Sequence, residues 1–343
     1  MSFPALLPYG WGDRWAALLA DTPDTTPARV VRHDGSGVVL ATPDGIRAVQ
    51  LGMRLDPEPT VGDWLALDAG DQPIAVLPRT SLLRRASARG DHEQSLAANV
   101  DLVLLVCGLD RPVKPGRLQR GATLAWDAGA VPAIVLTKAA LHDDPDAVAT
   151  EVADANPGLD VVVTSAHEGE GVEAVRRLLV GRTTTVLGES GAGKSSLVNA
   201  LLDEEAEAVG RVRAGDAKGR HTTTARQLHP VPGGGVIIDT PGLRAVGLWV
   251  DPDAVSETFG DVTDLAEGCR FNDCRHDSEP GCAVLAAVDA GDLPEARLDA
   301  WRALRREAEA AALRADRQAQ RRFGRRMGKM AKEAMEAKGN RDH

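Results

Sequence analysis

The sequence is poor in cysteine, with 4 in 343 residues, so it carries no disulfide framework of the kind that staples small secreted folds. It lacks any apolar run approaching the roughly 20 residues of a membrane-spanning helix. Its opening, MSFPALLPYGWGDRW, has neither the basic start nor the long apolar stretch of a secretory signal. The expectation is therefore a cytoplasmic protein with no membrane partner. No internal repeat is present. An overall positive charge is missing too: the formal net charge is −10, which taken alone argues against a nucleic-acid partner.

What is there is unevenly spread. From Trp301 to His343 the chain has 13 Arg or Lys against 6 Asp or Glu, a balance of +7 that leaves −17 for the remainder. A basic tail on an acidic body reads either as an RNA-binding arm or as a solvated helix. The length asks for two or three domains, and the 43% hydrophobic and 26% charged content suits globular ones.

Between residues 28 and 85, five short strand-like runs, ARVVRH, SGVVLAT, IRAVQLG, DWLALDA and PIAVLPR, alternate with turn signals. With no helical period among them they predict a small β-barrel, of which the five-stranded oligonucleotide-binding (OB) type is the commonest; a β-module without a ligand of its own is the other reading. From about Ala97 the pattern changes. DLVLLVCG, VPAIVLT and DVVVTSA are continuous apolar runs of the buried parallel type, interleaved with helix, one stretch of it around Val172 to Leu179. RTTTVLG leads into a helix from Lys194 to Leu202, a further strand is predicted near Thr224 to Val231, and GGVIIDTPG closes the series. Residues 250–295 read as irregular and 296–336 as helix.

Residues 188–196, GESGAGKSS, satisfy the phosphate-loop pattern at Gly188, Gly193, Lys194 and Ser195. A strand-like run precedes them and a helix follows. Glycines let backbone N–H groups turn inward around a β-phosphate, and the helix that follows presents its positive end. Lys194 reaches the β- and γ-phosphates, and the Ser195 hydroxyl is a hard oxygen ligand for Mg²⁺. Gly188, Glu189, Ser190, Gly191, Ala192, Gly193, Lys194, Ser195 and Ser196 are thus candidate nucleotide contacts. Asp239 in VIIDTPG supplies the carboxylate needed on the Mg²⁺ side, and the Gly242 N–H can reach the γ-phosphate. DTPG at a strand end marks GTPases among phosphate-loop proteins.

GTPases read guanine with an Asn/Thr-Lys-x-Asp loop at one strand end and a Ser-Ala loop at the next. Here Thr137, Lys138, Ala139 and Ala140 of LTKAAL, and Ser165 and Ala166 of TSA, occupy such positions. Both lie before the phosphate loop, so the order is a circular permutation, which is tolerable where termini lie close together on the surface.

Cys269, Cys274, His276 and Cys282 form CRFNDCRHDSEPGC. Three thiolates and one imidazole this close suit a closed, structural Zn²⁺ site that folds a segment poor in apolar residues. Cys107, inside an apolar run, is expected to be a core thiol.

The permuted order, VGDW (Val61 to Trp64), LPRTSLLRR (Leu77 to Arg85), GRHTTT (Gly219 to Thr224) and the Cys/His cluster together resemble the small-ribosomal-subunit biogenesis GTPase family. The resemblance runs from about Tyr9 to the basic tail. It implies a multi-domain α/β protein: an N-terminal five-stranded OB-like β-barrel over residues 1–90, a circularly permuted P-loop GTPase domain over 91–249, and a zinc-binding helical C-terminal domain with its basic tail over 250–343. It implies GTP hydrolysis to GDP with Mg²⁺, one structural Zn²⁺, and a monomer acting on the small ribosomal subunit and its rRNA. Two departures stand out. The family's base loop ends in Asp, where this chain has Ala140; a lost carboxylate acceptor costs about 1.5–3 kcal/mol, and Asp143 and Asp144 lie nearby. The residue after DTPG is Leu243 rather than a water-orienting Gln. The resemblance puts a histidine in the first switch, which makes His221 the candidate water-orienting group beside Lys194, with one of Thr222, Thr223 and Thr224 completing the Mg²⁺ shell. Two rivals remain: a general P-loop nucleotidase or kinase, and an RNA-binding assembly factor that uses nucleotide as a structural ligand.

Overall fold

The structure, a computed structural model, describes residues 3–34, 37–51, 55–86, 93–202, 226–239, 252–310 and 313. It divides into two compact units, one of residues 1–85 and 94–247 and the other of residues 86–93 and 248–343.

In the first unit a 3-10 turn (Pro4–Tyr9) and helix α1 (Asp13–Leu19) precede the strands β1 (Thr26–Asp34), β2 (Gly37–Thr42), β3 (Gly45–Gln50), β4 (Trp64–Leu67) and β5 (Pro73–Val76). All five runs legible in the sequence are strands. They pair antiparallel in the order β3-β2-β1-β4-β5. Among the described residues no pairing joins β3 to β5. Alternate residues of β1, β2 and β4, among them Ala28, Val30, Val38, Leu40, Leu65 and Leu67, form one buried cluster. Trp64 is fully buried beside Trp11 and Trp15, with ring centroids 5.0 and 5.9 Å away. β6 (Leu82–Ala86) and β7 (Glu93–Ala98) make a separate two-stranded sheet.

The remaining strands are β8 (Leu102–Gly108), β9 (Val131–Thr137), β10 (Val161–Val163), β11 (Thr183–Gly188), β12 (Gln227–Pro230) and β13 (Val236–Asp239), ordered β10-β9-β8-β11-β13-β12. Only β12 runs antiparallel in this group, and it also pairs with β1 at Gln227 opposite Arg32, so one sheet continues from the N-terminal strands. Apart from the buried Thr183–Thr185 of β11, the parallel strands are largely apolar on both faces because helices cover both. Leu102, Leu104 and Val106 meet helices α4 (Val172–Leu179) and α5 (Lys194–Leu202) through Val175, Leu179, Leu197 and Leu201. The intervening Leu105 faces helix α2 (Pro115–Asp127) so closely that a Cβ on Gly121 would lie 2.8 Å from its side chain. Helix α3 (Pro145–Ala155) follows β9.

The join between the N-terminal strands and this sheet is polar and buried. Arg29, 1% exposed, donates to the Gly62 carbonyl at 3.3 Å, to the Tyr9 carbonyl, and to the Thr183 hydroxyl at 2.8 Å. Burial pulls its guanidinium down to about 10, against the charges of Asp101 and Asp63, so it stays protonated at neutral pH. Thr183 opens β11, so the buried cation is tied to the strand that carries the phosphate loop.

The second unit corrects one expectation. Within residues 252–295, α6 (Pro252–Thr258), α7 (Gly260–Ala266) and α8 (Ala283–Ala290) are helical where irregular chain was expected, whereas residues 267–282, which carry the Cys/His cluster, are irregular as read; α9 follows over 295–310. The first two are 7 residues each, too short for a helical period to stand out in sequence. Phe259, at the N-cap of α7, is fully buried under the Arg297 guanidinium, 4.2 Å from its ring centre.

Candidate functional site

Every parallel strand ends at one edge. Gly108 of β8 lies opposite Thr137 of β9, Leu136 opposite Val163 of β10, Val106 opposite Gly188 of β11, and Thr185 opposite Ile238 of β13. The loops predicted to hold phosphate, base and metal therefore leave the sheet side by side, at the carboxyl edge where open parallel sheets bind ligands.

The phosphate loop follows from its glycines. Gly191 and Gly193 have φ of +78° and +86°, left-handed values open to glycine at no steric cost. A Cβ on Gly188 would come within 2.4 Å of the Val106 carbonyl. Lys194, first residue of α5, turns back and donates from Nζ to the carbonyls of Gly188 at 2.8 Å and Glu189 at 2.5 Å. Glu189 pairs with Arg117 of α2, Ala192 is buried, and Ser190, Ser195 and Ser196 are exposed. Asp239 ends β13, the strand next to β11.

The two candidate base loops are stitched to this core and to each other. Thr137 is buried, and its hydroxyl donates to the Ala192 carbonyl at 2.6 Å, the nearer of its two acceptors. The Ala139 N–H donates to the Thr164 carbonyl at 3.1 Å, and the Thr164 N–H to Leu136 at 2.7 Å. Lys138, at φ +61°, extends its ammonium to Asp110 Oδ2 at 2.9 Å. Ala140 is exposed within the 3-10 turn Ala139–Leu141. In the neighbouring loop the Ser165 N–H is held by the Glu170 carbonyl at 3.0 Å, and Ala166 follows it.

Sequence reasoning missed Asp110 and Arg111. Asp110 accepts from Arg111 Nη2 at 2.9 Å and Nε at 3.3 Å as well as from Lys138, and these bonds, Arg111's foremost, hold its carboxyl well below the usual range. The signal was present: GLDR leaves a parallel strand at its carboxyl end, where ligand loops gather. His221, Thr222, Thr223, Thr224, Gly242 and Leu243 lie outside the described residues.

In the second unit, the Sγ atoms of Cys269, Cys274 and Cys282 and a ring nitrogen of His276 all lie within 4.8 Å of one another. Cys269 Sγ is 3.8 Å from Cys282 Sγ, and His276 Nδ1 is 3.3 Å from Cys282 Sγ and 3.6 Å from Cys269 Sγ. A tetrahedral ion with sulfur at about 2.3 Å requires sulfur–sulfur edges near 3.8 Å, so this spacing fits a metal ion. Burial keeps the His276 imidazole below its ordinary pKa, neutral and able to ligate. Its ring packs on Trp301 of α9, centroids 5.1 Å apart, and its carbonyl accepts from Arg302. The four residues can hold a metal ion.

The RsgA GTPase family model matches residues 76–249. Among curated relatives, a protein of Streptomyces coelicolor is 44% identical, over 97% of this chain and 96% of its own. One of Vibrio parahaemolyticus is 42% identical, over 94% and 90%. Both are called small ribosomal subunit biogenesis GTPases. Among solved structures, YjeQ from Thermotoga maritima matches with a TM-score of 0.63 at 26% identity, covering 83% of this chain and 98% of that one. YloQ, described as a circularly permuted GTPase, matches in fold at 0.61 and 24%, covering 83% and 96%. The chain belongs to the RsgA GTPase family.

Proposed function

We infer that this protein hydrolyses GTP to GDP and phosphate, and that the cycle serves late maturation of the small ribosomal subunit. The observation that carries the reading is the shared strand edge: phosphate loop, Asp239, and both base loops converge there, in a chain whose relatives along nearly its whole length are ribosome-assembly GTPases.

The residues divide the work by chemistry. Backbone N–H groups from Glu189 to Ser195, opened by the positive-φ glycines, surround the β-phosphate at the N-terminus of α5. Lys194 exchanges its two loop carbonyls for β- and γ-phosphate oxygens. Mg²⁺ bound with the nucleotide would neutralise charge developing between those phosphates, and Ser195, Asp239 and one of Thr222, Thr223 or Thr224 would hold it. Gly242 donates its N–H to the γ-phosphate. Since the Ser165 N–H is engaged, the Ala166 N–H is the donor of that loop for purine O6, while the aliphatic stem of Lys138 lies along the base. His221 orients the attacking water, a task for which Leu243 has no polar atom.

Zn²⁺ is the metal that three thiolates and a neutral imidazole select; Cys269, Cys274, His276 and Cys282 would hold it as a structural ion. The five-strand module, ordered β3-β2-β1-β4-β5, is read as an OB-like barrel that, with the basic tail, meets rRNA through phosphate contacts. Three modules, 1–90, 91–249 and 250–343, act as a monomer in the cytoplasm; no helix among the described residues is long and apolar enough to cross a membrane.

Turnover of GTP by purified protein, with and without small ribosomal subunits, tests the reading. A Lys194→Ala variant that hydrolyses GTP as fast as the parent would remove the phosphate loop from the reaction. Nucleotide binding without turnover, even with subunits present, would leave an assembly factor that uses GTP as a structural ligand, the reading that Ala140 and Leu243 favour.

A further inference from the structure

Guanine differs from hypoxanthine by one group, the 2-amino group, and from xanthine by that amine in place of a carbonyl. Reading it requires an acceptor at the far edge of the base. A carboxylate is the strongest such acceptor and also repels a carbonyl. The first base loop presents only a methyl group there, because Ala140 is exposed at the centre of its turn. The nearby carboxylates are mostly committed elsewhere. Asp110 holds Lys138 and Arg111. Asp144 is the N-cap of α3, its Oδ1 accepting from the Ala147 N–H at 3.0 Å, and moving it would uncap the helix. Its own N–H donates to His142 Nδ1 at 3.1 Å, which fixes the chain as it leaves the loop. Asp143 lies between these two anchored residues, exposed.

We propose that the base site of this protein reads the purine 6-carbonyl but not the 2-position, so that it accepts GTP, ITP and XTP as one substrate class and rejects ATP. The inference rests on the base-loop placement given above. The 6-carbonyl is read by a backbone donor, the Ala166 N–H, which no side-chain change removes; the 6-amine of adenine would set donor against donor. The 2-amine of guanine faces Ala140 and solvent, where it keeps its water and gains nothing over the hydrogen of inosine. The 2-carbonyl of xanthine meets no negative charge. Phosphate contacts then supply most of the affinity, equally for all four nucleotides.

The test is competition binding of GTP, ITP, XTP and ATP, together with their hydrolysis, in the wild type and in Ala140→Asp. The substitution is at an exposed position, and thermal melting checks that the fold is kept. Wild type should bind GTP and ITP within about threefold, XTP within about tenfold, and ATP much more weakly. Ala140→Asp should favour GTP over ITP by roughly tenfold or more, the scale of one charge-assisted hydrogen bond, and should lose XTP. A wild type that prefers GTP to ITP by tenfold overturns the inference; Asp143→Asn would then show whether Asp143 is the reader. A wild type and an Ala140→Asp variant with the same flat profile would mean that this loop does not face the base. Failure of the GTPase reading is a different result, in which Lys194→Ala changes no nucleotide's affinity.

Discussion

The Thr137 hydroxyl donates to the Ala192 carbonyl across 2.6 Å, joining the loop that follows β9 to the loop that follows β11. Ala192 precedes Gly193, whose missing Cβ would stand 2.9 Å from that same hydroxyl oxygen. The candidate base loop and the phosphate loop are thus joined by a buried neutral hydrogen bond.

Thr137→Val keeps the shape and removes the donor. A buried carbonyl left without its partner costs about 1–3 kcal/mol, and here the cost falls on the bound geometry of the loop. Affinity for GTP and GDP should drop together by roughly five- to tenfold, read by titration calorimetry, with the GTP:GDP ratio unchanged because both nucleotides use the β-phosphate. A loss confined to GTP would show that the bond acts on the γ-phosphate side instead.

The four-residue cluster makes a prediction about metal content. Purified protein should hold about one Zn²⁺ per chain, and Cys274→Ser should release it, since the buried Cys274 thiol is one of the four groups that can hold a metal ion. Without the ion, three thiols and an imidazole stay packed with unmet polarity, and residues 265–290 should exchange amide hydrogen faster. Full occupancy in the variant, by metal analysis, would sink the assignment.

Glu279 shapes that cluster from outside it. Its carboxylate accepts from the backbone N–H groups of Arg275 at 2.8 Å, Asp277 at 2.9 Å and Ser278 at 3.1 Å, which bend the chain around His276. These bonds, Arg275's foremost, lower its pKa to about 2 from 4.5. A depressed carboxylate pKa contributes stability that is complete above the unfolded value and lost as pH falls through the folded one. The loop should therefore loosen between about pH 4.5 and 2. Glu279→Gln should lose metal to a chelator several-fold faster than the parent at pH 7. Equal release rates for the two proteins would mean that the loop keeps its shape without the charge.

Much of this architecture was legible because the signals were local. Alternating apolar runs marked the five N-terminal strands, and continuous ones the parallel strands. GESGAGKSS marked both the β11 end and the α5 start, and four candidate ligands within fourteen residues announced a cluster that can hold a metal ion. What could not be read is what depends on partners far apart in sequence. Arg29 and Thr183 meet across 154 positions, and nothing around Arg29 marks it as buried. Asp110 has the look of a turn residue until Lys138, 28 positions on, is seen to reach it. Asp144 lies close to Ala140 in sequence, yet the proline after it, at the first turn of α3, already spelled a helix cap rather than a free carboxylate.

The final prediction concerns coupling to the ribosome. Leu243 stands where many GTPases place a water-orienting glutamine, so isolated protein should hydrolyse GTP slowly. Docking on a large partner can bring the His221 imidazole to the attacking water, completing the site by induced fit. The tail from Trp301, with its balance of +7, and the N-terminal five-strand module would attach through RNA phosphates, an attraction that weakens steeply with salt. Small ribosomal subunits should therefore raise turnover at least tenfold at low salt, and added salt should abolish the effect. His221→Ala should still bind nucleotide and subunit yet lose the stimulation, because only the transition state uses the imidazole. Truncation after residue 310 should weaken the salt-sensitive part of subunit binding while leaving basal hydrolysis intact. If subunits leave the rate unchanged at every salt concentration, stimulation by the ribosome is not how this GTPase is driven; if His221→Ala is stimulated like the parent, another group orients the water.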